Sequence, residues 1–105
     1  MGWIYLIGQR NDPNKFKIGV TKGDIEKRIK KLQTGNAEEL YVFKRFQTET
    51  PFVLEKMLHR HFSTDRMVGE WFSMDDYSVR SFLDICDMYQ KSIDALESNP
   101  FFKPN

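Results

Sequence analysis

The sequence predicts a small α/β (α+β) domain, a three-stranded, mainly antiparallel sheet flanked by helices, with a long C-terminal helix. Three observations carry this reading. Residues 3–7 and 16–20 read as two strands close together at the start of the chain. Residues 40–46 are rich in aromatic and branched side chains and supply a third strand. Three further stretches place apolar residues at helical spacing.

The first strand, Trp3 to Ile7, is apolar on both alternating faces, the pattern of a central strand buried on two sides. Asn11, Asp12, Pro13 and Asn14 then form a cluster of turn formers, read as a loop too long for a two-residue hairpin. In the second strand Phe16, Ile18 and Val20 point one way, Lys17 and Gly19 the other. A glycine inside a strand often marks close approach of a ligand or another backbone, so the face of Gly19 is the candidate working face.

Thr21-Lys22-Gly23-Asp24 resembles a capping box with Asp in the last place. Ile25, Ile29 and Leu32 follow at helical spacing, and Gly35 ends the helix. Glu26, Lys27, Lys30 and Lys31 take the opposite face, and Arg28 borders the apolar stripe, where a pairing with Asp24 at i, i+4 is the plain structural reading. Pro51 suits the first position of a second helix with Thr50 as its cap. On that helix Leu54, Met57, Leu58, His61 and Phe62 share one arc, with Glu55 at its edge and His59 beside Glu55. Trp71 and Phe72 read as core cover. From about residue 75, Val79, Phe82, Leu83, Cys86, Tyr89, Ile93 and Leu96 form a sustained stripe, with Cys86 a small buried hydrophobe. Residues 1–98 are taken as one domain and 99–105, with Phe101 and Phe102, as a tail.

Composition narrows the function. With 105 residues, 40% hydrophobic and 14% aromatic, the chain supports one modest core. A net charge of +1 argues against a general nucleic-acid coating protein while allowing a local basic patch. A single cysteine excludes a disulfide framework and a cysteine zinc site. No apolar run reaches the length of a membrane span, so no membrane partner and an intracellular, cytoplasmic setting are expected.

Trp3-Ile4-Tyr5 followed by Lys17-Ile18-Gly19-Val20-Thr21, then Arg28, then Leu54-Glu55 with Leu58-His59, then Gly69-Glu70-Trp71-Phe72, resembles the GIY-YIG nuclease superfamily. The similarity is to a phage-associated branch in which lysine replaces the second tyrosine. The resemblance implies a divalent-metal-dependent DNA endonuclease. Tyr5 would be general base, with Lys17 near it to favour the phenolate, and Arg28 would stabilise the phosphate. Glu55 would hold Mg²⁺ or Mn²⁺, and His59 would orient water or transfer a proton. Lys22, Lys27, Lys31 and Arg45 are the residues expected to touch DNA. With no appended recognition module, specificity is expected from the domain's own surface, a homodimer or a second subunit. Two rival classes stand beside this one: a nucleic-acid-binding module that does not cut, and a protein-interaction domain.

Overall fold

The computed structural model describes residues 1–98. Its elements run β1 (Gly2–Gln9), β2 (Asp12–Thr21), α1 (Ile25–Thr34), β3 (Leu40–Thr48), α2 (Pro51–His61), β4 (Trp71–Ser73) and α3 (Asp76–Glu97). The strands form one antiparallel sheet in the order β3-β1-β2-β4. The expected third strand is present, and a fourth joins it. That short strand, β4, pairs Lys15 with Ser73, Phe16 with Phe72 and Lys17 with Trp71. Three residues are too few to show alternation, which is why Trp71 and Phe72 read only as core.

β1 is central, as its two-sided apolar pattern requires, and its faces serve two cores. Ile4 and Leu6, with Phe16 and Ile18 of β2, pack under α2 and α3 in the larger core, together with Leu54, Leu58, Phe72 and Phe82. Tyr5, Ile7 and Leu40 face the other way, covered by Ile29 and Leu32 of α1 and by Trp71. Cys86 is fully buried in the larger core, and burial pushes its thiol up to about 12.

Several local expectations are corrected. β2 begins at Asp12, with Gln9 opposite Asp12, so the connection is a tight turn at Arg10 and Asn11 followed by a bulge. Residues 13–15 have no partner on β1 there, so the missing N–H of Pro13 costs no ladder bond. Asp24 caps α1 by itself, accepting from the amides of Glu26 and Lys27, while the Thr21 hydroxyl accepts from Gly23. Thr50 holds the N-cap position of α2 but makes no side-chain cap bond; its hydroxyl meets Thr48 and Gln90 instead. His61 is exposed, its Nδ1 joined to the Tyr89 hydroxyl at 2.8 Å. Leu96 is exposed too, in the last turn of the 22-residue α3. The tail with Phe101 and Phe102 lies outside the described residues.

Candidate functional site

Cross-strand register builds the centre of the site. Tyr5 stands opposite Gly19 on the face covered by α1. The Tyr5 ring occupies the space a side chain at position 19 would need, since a Cβ there would meet the Tyr5 hydroxyl and ring carbons in hard overlap. The close approach expected at Gly19 is therefore made by Tyr5 of the same sheet.

Arg28 closes over this pair from α1. Its Nε donates to the Tyr5 hydroxyl at 3.5 Å. The Asp24 carboxylate that would compete for Arg28 is occupied in capping the helix. Among the described residues the terminal guanidinium nitrogens have no hydrogen-bond or ion-pair partner, so the fork that suits a phosphate is available. Burial raises the pKa of Tyr5 above its ordinary value, and the Arg28 contact opposes that rise.

The place of Lys17 differs from the expectation. It lies opposite Ile7, two residues along the ladder from the Tyr5–Gly19 pair, and its Nζ pairs with Glu70 at 3.1 Å. Its ammonium also sits 5.8 Å from the Trp71 ring centre. The cation that acts on Tyr5 is Arg28, and Tyr5 is shifted up rather than down. Lys17 is bonded to Glu70, and the hydrogen bond to the Tyr5 hydroxyl comes from Arg28. A lysine two residues from the glycine shares its face, but pairing with β4 draws it away.

Glu55 and His59 reach this region from the opposite side of the sheet. The pairing of β4 with β2 ends at Lys17, leaving the later edge of β2 open to α2. His59 uses that opening: its Nε2 lies 2.9 Å from the Ile18 carbonyl, so Nε2 carries the hydrogen, and its ring packs edge-on against Phe72. Glu55 is half-buried, and its Oε2 is buried without a hydrogen-bond partner. Burial raises its pKa, an effect that His59 and Lys17 oppose and Glu70 adds to. Glu55 also adds to the upward shift of Tyr5, so the two groups share one electrostatic environment.

A buried carboxylate oxygen with no partner is unusual enough to need a cause, such as an ion. Among the described residues no three His, Cys, Asp or Glu side chains group to hold a metal. Glu55 supplies a single carboxylate, which would suit a hard cation that fills its shell with water and phosphate oxygens.

Of the residues expected to touch DNA, Lys27 and Lys31 line a shallow cleft of about 340 Å³ with Arg28, Thr21, Gly23 and Asp24. Lys22 stands beside it, over the exposed ring of Phe52 at 5.5 Å. Arg45 stands opposite Tyr5 on β3 and pairs with Glu26 of α1 at 3.4 Å. Glu70 is the site residue that sequence reasoning left without a role. Its neighbourhood to Lys17 depends on β4, which only the folded chain reveals.

The family model of the T5orf172 domain matches residues 2–88. That match corrects the assignment to the GIY-YIG superfamily, which rested on short strand motifs in which Trp3 and Lys17 already departed from the pattern. A Tyr opposite a Gly in a hairpin is a local arrangement, whereas the family model weighs nearly the whole described chain. The association with phage stands. No curated protein and no solved structure matches the chain.

Proposed function

Because the chain belongs to the T5orf172 domain family, a phage-associated group, we propose that it hydrolyses phosphodiester bonds of DNA with a divalent cation. The observation that carries this reading is the orphaned Glu55 carboxylate sharing its environment with the Tyr5–Arg28 pair. Phosphodiester hydrolysis needs a nucleophilic water, stabilisation of charge at phosphorus and relief of charge on the leaving oxygen. Those are the demands that a free guanidinium, a phenol and an unpartnered carboxylate can meet.

Glu55 would hold Mg²⁺ or Mn²⁺, which when bound supplies Lewis-acid stabilisation of phosphate oxygen charge. Arg28 grips the non-bridging oxygens through its terminal nitrogens while its Nε keeps the Tyr5 hydroxyl in place. Tyr5 takes the proton of the attacking water. Arg28 favours the phenolate that this step requires, against the burial that disfavours it. Lys27 and Lys31, in the cleft beside Arg28, lead the backbone of the nucleic acid to the site. His59, held by the Ile18 carbonyl, fixes the edge of β2 from which Glu55 is approached.

Nicking of supercoiled plasmid tests the reading, with Mg²⁺ or with chelator, for the native chain and for Glu55→Gln. Metal-dependent cutting that the variant lacks is the expected result. A salt-sensitive gel shift without cutting would make the domain a nucleic-acid binder. Neither cutting nor binding would leave the protein-interaction reading.

A further inference from the structure

The pair formed by Lys17 and Glu70 is the most enclosed of the four ion pairs among the described residues, with the Lys17 side chain only 16% exposed. The proposed chemistry gives Glu70 no task. Yet its backbone is tied down from both directions. The Glu70 carbonyl accepts from the Ile18 amide at 3.2 Å. Just before it, Met67 N–H donates to the Trp71 carbonyl at 2.8 Å and Trp71 N–H to the Val68 carbonyl at 3.0 Å. Arg66 Nε caps the Gly69 carbonyl at 2.6 Å, where φ is 61°, a conformation that favours glycine. Glu70 is thus delivered to Lys17 by a braced turn.

The Lys17 charge acts on two carboxylates, Glu55 and Glu70, and the lysine bonds to one of them. Glu70 takes the ammonium at 3.1 Å, and Glu55 Oε2 is left with no partner. A desolvated carboxylate and an ammonium that act on each other gain by closing into a pair, because each desolvated charge alone is costly. The bond to Glu70 is what competes for the lysine.

We propose that Glu70 is a positioning residue that draws Lys17 aside, so that the Glu55 carboxylate stays open to a divalent cation instead of closing into an ion pair. The inference rests on the reading of Glu55 as the cation's ligand. It assigns to the braced turn at 66–70 a purpose that the mechanism alone lacks.

Binding of Mn²⁺ to the protein without nucleic acid, followed by electron paramagnetic resonance of the free ion, provides the test. Five proteins are compared: native, Glu55→Gln, Glu70→Gln, Lys17→Met and the Lys17→Met/Glu70→Gln double variant. Glu55→Gln should abolish specific binding. Glu70→Gln should weaken it roughly tenfold or more, the scale of one close charge pair. In the Lys17→Met background the same Glu70 change should alter affinity little. Equal weakening in both backgrounds would mean that Glu70 acts only through its own negative field, and no weakening in either would mean it does nothing. Both results overturn the inference while leaving Glu55 as ligand. Equal binding by the native protein and Glu55→Gln overturns the ligand itself, and this inference with it. Should Glu70→Gln fail to fold by circular dichroism, Glu70→Asp takes its place. Its shorter reach should weaken binding only where Lys17 is present, and equal weakening without Lys17 would overturn the inference.

Discussion

Arg28 Nε donates to the Tyr5 hydroxyl at 3.5 Å across 23 positions of sequence, joining the first helix to the central strand. The bond uses one nitrogen of the guanidinium and leaves the other two for a substrate. A lysine has no second nitrogen to divide between these tasks. Arg28→Lys should therefore cost nearly as much as Arg28→Ala, on the order of 10²-fold or more in turnover for one lost charge donor. Plasmid-nicking rates at saturating DNA measure it. Lysine restoring most of the rate would reduce Arg28 to a source of general positive potential.

The pH dependence of cutting reports on Tyr5. Its pKa is raised by burial, and only the deprotonated form accepts a proton. Activity should accordingly climb with pH into the alkaline range, with its midpoint at or above the ordinary tyrosine value of about 10. Lys17→Met should leave that midpoint in place, because Lys17 is bonded to Glu70 and not to Tyr5. A midpoint that moves upward in Lys17→Met would restore Lys17 as the activator of the phenol.

Glu55→Gln should stabilise the metal-free protein at neutral pH. The folded-state pKa of Glu55 is raised, so its contribution is fully present below the unfolded carboxyl value and lost as pH rises through the folded one. The native protein should lose stability across that mildly acidic window, and the glutamine variant should lose less. The difference is on the order of 1 kcal/mol or less, since a half-buried carboxylate is partly screened by solvent. Thermal melts at several pH values measure it, and added Mg²⁺ should raise the melting temperature of the native protein alone. Equal melts of the two proteins at every pH would show that the orphaned oxygen costs the fold nothing.

Gly19→Ala tests the close approach of Tyr5. A methyl group at 19 overlaps the Tyr5 ring, so the ring must move away from Arg28 or the strands must part. Overpacking of this kind typically costs about 1–3 kcal/mol. The variant should remain folded by circular dichroism, melt lower and lose cutting. Full activity in Gly19→Ala would show that the position of the Tyr5 ring is not critical.

Sequence alone determined the elements whose signals are periodic. The two-sided apolar run of Trp3–Ile7 announced a central strand, the alternation at 16–20 placed Lys17 and Gly19 on one face, and the stripe from Val79 to Ile93 announced α3. Helix ends with a capping side chain were legible nearly to the residue, although Asp24 turned out to cap by itself. Tyr5, Arg28 and Glu55 were singled out through motifs whose family assignment the T5orf172 match overturned, and of these the folded chain brings Tyr5 and Arg28 into hydrogen-bond contact. Tertiary structure decided what they touch. β4 has three residues, too short for any pattern, yet its pairing with β2 brings Glu70 to Lys17 and stops at Lys17, opening the strand edge to His59. Periodicity fixes which face of an element a side chain occupies. Which charge it meets there depends on the register between distant strands, and that is set only when the sheet closes.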